Sequence, residues 1–371
     1  MKIVFIGCRD IHLLGGIENY MYNLSRGLVA MGHEAVVYCE SDRNAIEDLD
    51  GVKVIYMKGP KSNLLCKPWV GLKATLRTIF RERKVSLIHY NAWPPSLWSW
   101  MASLAGIPSL MMGHGHEWQR SKYSPRQQKV LKFMEKYTAH SNSHLLMCSE
   151  AQTRYFKANY GVEPYTMPTA VNLPSAEPAE ASDILQRFGL EKGRFFLYMG
   201  RLVQDKNPDF LIRGFRAAQH EGFKLVIAGA NDAMPEYVEH LHSLAEGCDD
   251  VIFTGAVYGA DKDALLRNAY VFCIPSTIEG LSIVLLEAMS YRLPVLASDI
   301  EANREVLEKD RAVWVRPESD DDIRDAVQTC IASPDTLAGY RDYNYDKIVR
   351  SYTWDSVTRR YAGYASRIAK F

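Results

Sequence analysis

The sequence predicts an α/β protein built as two doubly wound halves. Three observations carry this. Short, continuously apolar runs alternate with helical stretches from end to end, the pattern of a parallel sheet buried on both faces. At 371 residues the chain is long for one core. A break at 164–178 holds Pro164, Pro168, Pro174 and Pro178 among small and acidic residues, and it divides the alternation into two series.

In the first series, Lys2–Gly7 reads as a strand and Ile17–Met31 has helical spacing. Ala35–Cys39 and Val52–Tyr56 read as strands, Val70–Arg83 as a helix, Leu87–Tyr90 and Ser109–Met112 as strands. Arg126–His140 is helical and Leu145–Cys148 closes the series as a strand. In the second, the strands are Phe195–Met199, Lys224–Ala228, Val251–Phe253, Tyr270–Pro275, Pro294–Ala297 and Ala312–Val315. Helices fall near Pro208–Gln219, Glu236–Ala245, Lys262–Asn268 and Ile283–Tyr291. Ligands of such sheets bind beyond the carboxyl ends of the strands, so two halves facing each other enclose a cleft.

Composition narrows the function. Lys plus Arg and Asp plus Glu are both 44, so the net charge is zero, without the basic excess of a nucleic-acid binder. The seven cysteines are scattered without a CxxC pair, which argues against a zinc site or a disulfide framework and fits a reducing compartment. The N-terminal apolar run is too short for a signal peptide, and no run is long enough to span a membrane. A cytoplasmic protein is expected. The stretch Trp69–Arg83, with Lys67, Lys73, Arg77, Arg81, Arg83 and Lys84 in or beside it, suits either a solvated helix face or peripheral contact with anionic lipid.

Four segments carry chemistry. Gly7-Cys8-Arg9-Asp10 through Gly15-Gly16-Ile17-Glu18 ends the first strand and opens the first helix. Its glycines and the helix N–H groups suit an approaching anion, or serve only a chain reversal. Gly200-Arg201-Leu202-Val203-Gln204-Asp205-Lys206 follows a strand, and its two cations suit a diphosphate. Ser276 through Met289 carries Glu279 on a loop and Glu287 in an apolar helix, where an ionised carboxylate needs a partner such as ribose hydroxyls. Gly113-His114-Gly115-His116-Glu117-Trp118-Gln119-Arg120 follows another strand. Its histidines suit hydrogen bonding to a sugar better than a metal, because no third ligand accompanies them.

On these residues the chain resembles family 4 of the glycosyltransferases, retaining enzymes of the GT-B fold. Gly15-Gly16-Ile17-Glu18 resembles the family's glycine loop, and Gly200-Arg201-Leu202 with Asp205-Lys206 its phosphate motif. Glu279 and Glu287 resemble its E-x7-E motif. Tyr352-Thr353-Trp354-Asp355 resembles the start of a closing helix that crosses back onto the first domain. Gly7-Cys8-Arg9-Asp10-Ile11 and His114 through Lys122 are similar to bacterial rhamnosyltransferase-like members that build surface polysaccharides, which usually have a Gly at Asp10 and an apolar residue at His116.

The resemblance implies two Rossmann-like domains: residues 1–170 plus 352–371 on the acceptor side, and 171–351 binding the nucleotide sugar. It implies that Arg201 and Lys206 neutralise the leaving diphosphate, that Glu279 and His114 hold the transferred sugar, and that Glu287 holds the ribose. Gly16, Gly200, Gly280, Leu281 and Ser282 would complete the donor site, with Gly255 and Val257 near the base. Acceptor contacts are expected at Arg9, Asn91 and Glu117. The implied donor is a UDP, GDP or dTDP sugar, with no cofactor and no metal. The implied acceptor is a saccharide or lipid-linked saccharide. Three rivals remain in view: a sugar-nucleotide epimerase of the same fold, an NAD oxidoreductase and a non-catalytic subunit. The first strand lacks GxGxxG, which opposes the oxidoreductase. The intact charged motifs oppose the subunit.

Overall fold

A computed structural model describes all residues except 14, 63–64, 117, 119–123, 143, 179, 232–233 and 370–371. The chain forms two compact units, Met1–Ala170 with Trp354–Phe371, and Val171–Thr353.

The first unit holds strands β1 (Lys2–Cys8), β2 (Glu34–Ser41), β3 (Ala45–Leu49), β4 (Val52–Lys58), β5 (Leu87–Asn91), β6 (Ser109–Gly113), β7 (His144–Met147) and β8 (Tyr165–Thr166). They form one sheet in the order β3-β4-β2-β1-β5-β6-β7-β8. Strand β1 starts in the middle, and the chain first winds to one side and then returns past β1 to β5. Helices α1 (Gly16–Ala30), α2 (Cys66–Arg81), α3 (Trp93–Ser96), α4 (Ser99–Leu104), α5 (Pro125–Ser141) and α6 (Glu150–Tyr160) make the connections.

Several features depart from the sequence reading. Strand β3 is antiparallel to β4 and was not expected. Asp50 and Gly51 turn between them with φ of 53° and 79°, the geometry for which an Asp-Gly pair is selected in tight hairpins. The proline-rich stretch is not wholly linker, since Tyr165–Thr166 pairs with β7 and extends the sheet. In α2, Pro68 falls in the first turn, where its missing N–H removes no helical bond, so the helix starts earlier than its apolar spacing indicates.

The second unit is a six-stranded, all-parallel sheet of β9 (Phe195–Met199), β10 (Lys224–Ala228), β11 (Val251–Phe253), β12 (Val271–Ile274), β13 (Val295–Ser298) and β14 (Val313–Val315), in the order β11-β10-β9-β12-β13-β14. Its helices are α7 (Ile184–Arg187), α8 (Pro208–Ala217), α9 (Pro235–Ala245), α10 (Gly259–Asn268), α11 (Ile283–Ser290), α12 (Glu301–Val306), α13 (Asp320–Ala332) and α14 (Pro334–Ser351). The strands are buried on both faces. Phe195, Leu197 and Met199 enter one core, while Phe196 and Tyr198 enter the other. That is why these strands read as unbroken apolar runs. Helix α15 (Trp354–Ile368) returns to the first unit and packs on α1.

Candidate functional site

Strand order reverses between β9 and β12 in the second unit, and the two charged segments leave the carboxyl ends of those two strands. A reversal point opens a crevice that neither crossover covers. Hydrogen bonds stitch the loops together. Thr277 N–H donates to Asp205 O at 3.0 Å. The buried Asn207 amide donates to Pro275 O at 3.0 Å and to Thr277 Oγ1 at 2.7 Å. Asn207 has φ 51°, a left-handed conformation that asparagine tolerates, and it leads directly into Pro208 at the start of α8. Strand β10 joins the same platform through Gly200 N–H to Ala228 O at 3.0 Å. A Cβ at Gly229 would stand 2.0 Å from Gly200 O, so only glycine admits this approach.

On this platform Lys206 Nζ lies 2.5 Å from Glu279 Oε1, in an ion pair whose side chains are largely shielded. Ser276 Oγ donates to the same carboxylate oxygen at 2.8 Å. Arg201 is exposed, and its carbonyl accepts from the buried Tyr198 hydroxyl at 2.9 Å. Burial, then the nearby Glu279 charge, raises the Tyr198 pKa well above its ordinary value, so this anchor stays a neutral donor. Ser282 caps α11 by accepting from Leu285 N–H at 3.4 Å, and Gly280 and Leu281 lead into that cap. Glu287, one helical turn on, pairs with Lys262 Nζ at 2.6 Å. Lys262 was not singled out in the sequence: it lies on α10, and no spacing relates it to Glu287. Gly255 turns with φ 74° between β11 and α10, and Val257 packs on the adjoining core. A cavity of about 810 Å³ opens beside the platform, lined by Gln204, Asn207, Phe210, Tyr237, His240 and Glu318 among others. It shares the β9 loop with the ion pairs, but Arg201, Lys206, Glu279 and Glu287 do not line it.

The first unit has a matching reversal between β1 and β5. Arg9 leaves β1 and donates to Glu18 at 2.9 and 3.4 Å, while Glu18 is buried in the first turn of α1. Burial alone raises the Glu18 pKa, but the bonds it accepts, Arg9's foremost, outweigh this and hold it below the ordinary carboxylate value. A Cβ at Gly15 would fall 2.0 Å from Glu18 Oε2. Gly15 thus lies closely against a carboxylate of the chain itself. Gly16 begins the helix.

At the ends of β5 and β6, His114 Nε2 lies 2.8 Å from Asn91 Oδ1, and the Tyr20 ring packs edge-on at 5.0 Å. Asn91 is wholly buried. Its side-chain oxygen holds His114. Behind it, the buried His89 Nδ1 bonds the Tyr361 hydroxyl of α15 at 2.7 Å. His116 is tied to the buried Glu135 at 3.0 Å, with Trp118 and Tyr160 donating to the same carboxylate at 3.1 and 2.8 Å. Glu117 lies outside the described residues. Among the described residues there is no group of three metal-ligating side chains, and no helix is long and apolar enough to cross a membrane.

Residues 14–174 match the family described as Glycosyltransferase Family 4, and residues 182–347 match Glycosyl transferases group 1. An uncharacterized glycosyltransferase of Methanocaldococcus jannaschii is 26% identical over 94% of this chain and 93% of that protein. The GDP-mannose-dependent alpha-(1-6)-phosphatidylinositol monomannoside mannosyltransferase of Mycobacterium tuberculosis is 25% identical over 94% of each. Among solved structures, sucrose-phosphate synthase from Thermosynechococcus elongatus superposes with a TM-score of 0.83 at 19% identity, covering 99% of this chain and 98% of that one. HepE from Anabaena, in complex with UDP and glucose, gives 0.77 at 18%, covering 99% and 100%. At such identity these two structures speak to the fold alone. Two doubly wound α/β units, charged loops at both strand reversals and family matches over both units converge: the chain belongs to family 4 of the glycosyltransferases, with the GT-B fold, and is a glycosyltransferase of the hexosyltransferase type.

Proposed function

We propose that the chain transfers a hexosyl or deoxyhexosyl group from a nucleoside diphosphate sugar to a saccharide or lipid-linked saccharide, with retention of anomeric configuration. The setting is surface polysaccharide synthesis at the cytoplasmic face of a membrane. The observation that carries this reading is the pair Lys206–Glu279 at the reversal between β9 and β12, 2.5 Å apart and beside the cap of α11. An ammonium has three N–H donors, and Glu279 engages one side of it, which leaves donors for a phosphate oxygen. Cleavage at the anomeric carbon puts negative charge on the departing diphosphate. Arg201, Lys206 and the first-turn N–H groups of α11 stabilise that charge without reorganising and without a metal ion. Glu279 then lies beside the sugar rather than in covalent line with it. Glu287, held by Lys262, meets the ribose. In this assignment the second unit, residues 171–351, binds the donor, and the first, residues 1–170 with 352–371, receives the acceptor through Arg9, Asn91 and Glu117, while His114 orients the transferred sugar.

Relatives support the substrate class. Names among them specify GDP-mannose donors and phosphatidylinositol acceptors, and one is an O-antigen chain mannosyltransferase. The test is a thermal-shift screen of UDP, GDP, ADP and dTDP sugars, followed by NMR of the product formed from the stabilising donor. A rise in melting temperature with one nucleotide family and a retained anomeric centre are expected. No stabilisation by any of them, or an inverted product, overturns the reading.

A further inference from the structure

We infer that Tyr361, His89 and Asn91 form a buried tautomer relay that places the ring hydrogen of His114 on Nε2, which makes His89 and Tyr361 positioning residues for His114. The Tyr361 hydroxyl of α15 lies 2.7 Å from His89 Nδ1, and Asn91 Oδ1 lies 2.8 Å from His114 Nε2. Tyr361, His89 and Asn91 are wholly buried, so their hydrogens are shared out among the side chains at hand.

The middle link follows from the strand. His89 and Asn91 stand two residues apart on β5 and leave the same face, while Ile88 and Tyr90 enter the core on the other. Asn91 bears on the His89 ring as a hydrogen-bonding side chain. His89 Nε2 and Asn91 Nδ2 are both buried with no other partner. An amide between two imidazoles has two settings, because it offers an oxygen on one side and an NH2 group on the other. Here Oδ1 faces His114, so Nδ2 is left for His89.

Each hydrogen then has one place. A carbonyl oxygen carries none, so His114 Nε2 must supply the hydrogen of its bond to Asn91. The amide donates towards His89 Nε2, which holds a lone pair. Burial keeps His89 neutral, with its pKa pushed down to about 3, so its hydrogen is on Nδ1 and goes to the Tyr361 oxygen. The Tyr20 hydroxyl, buried without a partner and near enough to act on Tyr361, is the acceptor at hand for the tyrosine's own hydrogen. A hydrogen on His89 Nε2 would instead turn the amide round and move the His114 hydrogen to Nδ1. His89 thus sets the tautomer of a ring it does not bond. The rings of Phe5 and Tyr361, centred 5.0 and 5.5 Å away, hold it in place. The relay needs no sugar nucleotide; its consequence for transfer rests on the role proposed above for His114.

Long-range proton–nitrogen NMR of the full chain, with its ten histidines labelled with ¹⁵N, tests it. Ring signals are assigned with His114→Gln and His89→Phe. At about pH 8, above the ordinary histidine pKa, the hydrogen should be on Nδ1 of His89 and Nε2 of His114. Tyr361→Phe keeps the ring and removes the acceptor, so both histidines should move together to mixed tautomers. Asn91→Asp puts an oxygen on both sides, so His89 should shift its hydrogen to Nε2 while His114 keeps its own there. With the sugar nucleotide that stabilises the chain, Tyr361→Phe should lower kcat/KM roughly tenfold or more. The wild-type spectrum decides the placement even where a variant does not fold. A hydrogen on Nδ1 of His114 in the wild type, or an unchanged His114 tautomer in folded Tyr361→Phe and His89→Phe proteins, overturns the relay. Shifted tautomers with unaltered kcat/KM would overturn the sugar-orienting role of His114 and not the relay, so the two fail separately.

Discussion

Lys206 and Glu279 are mutually shielded, and this makes the lysine costly to lose. Lys206→Ala removes a diphosphate contact and strands a carboxylate whose side chain is 9% exposed. We expect kcat/KM to fall by roughly 10²-fold or more for Lys206→Ala and for Arg201→Ala, with Arg201→Ala leaving stability near wild type because its side chain is exposed. Steady-state kinetics beside urea melts would check both, and near-normal turnover in both variants would remove them from the donor site. A second prediction concerns His89. Burial, with the neighbouring His114, depresses its pKa to about 3. The unfolded chain takes up that proton near pH 6.5, the folded chain only near 3, so folding is opposed by protonation between those values. Stability from this residue is complete above about pH 6.5 and falls as the pH drops towards 3, by at most ~1.4 kcal/mol per unit. Urea melts from pH 7 to 4.5 should show a shallower decline for His89→Phe than for the wild type. An equal slope would mean that His89 is not the group responsible. At this scale the sequence was legible where a charge follows a strand directly. Arg201, Lys206 and Glu279 announce themselves by position. Lys262 does not, because its carboxylate partner lies 25 residues away on another helix.

The strand ends are joined by more than the charged residues they carry. Asn207 closes a seam between the loops after β9 and β12, and Gly229 lets the loop after β10 lie against Gly200. Asn207→Ala loses two hydrogen bonds and places alanine at φ 51°. A cost of about 2 kcal/mol or more is expected from unsatisfied partners and the left-handed backbone. Gly229→Ala sets a methyl against a backbone oxygen, which no rotamer can relieve, so strands β9 and β10 must shift. Both variants should bind donor nucleotide more weakly than their stability loss alone explains, which calorimetric titration below the melting transition would show. Unaltered affinity in folded protein would separate the seam from the site. Most elements were readable as apolar runs, because a doubly wound sheet buries both faces. Strand β3 escaped that test. It is an edge strand of alternating, half-exposed residues, Ala45 to Leu49, and its one clear signal was the Asp50-Gly51 turn. The proline-rich stretch misled in the opposite direction, since β8 needs only two residues and proline at either side does not prevent its pairing.

The chain leaves its first unit at Ala170 and re-enters it at Trp354, so that unit's core depends on a helix made last. Helix α15 buries Trp354, Val357, Tyr361, Ala362 and Ala365. Its contacts lead inward. The Tyr361 hydroxyl bonds His89, Trp354 lies 6.0 Å from the Tyr20 ring, and Tyr20 packs against His114. Burial of the three large side chains contributes about 1.5–3 kcal/mol each, so their combined loss is comparable to the whole stability of an ordinary domain. A chain ending at Thr353 should therefore keep the second unit, which α15 does not build, and lose ordered packing in the first. Hydrogen exchange read by mass spectrometry would resolve the two. Amides of β1, β5 and α1 are expected to exchange at rates near those of the unfolded chain, while β9, β10 and β12 remain protected. Addition of the stabilising nucleotide should slow exchange further in β9 and β12 and leave β1 and β5 unprotected, since Arg201, Lys206 and the first-turn N–H groups of α11 lie within 171–351. Wild-type protection of β1 and β5 in the truncated chain would show that α15 covers a core already complete without it.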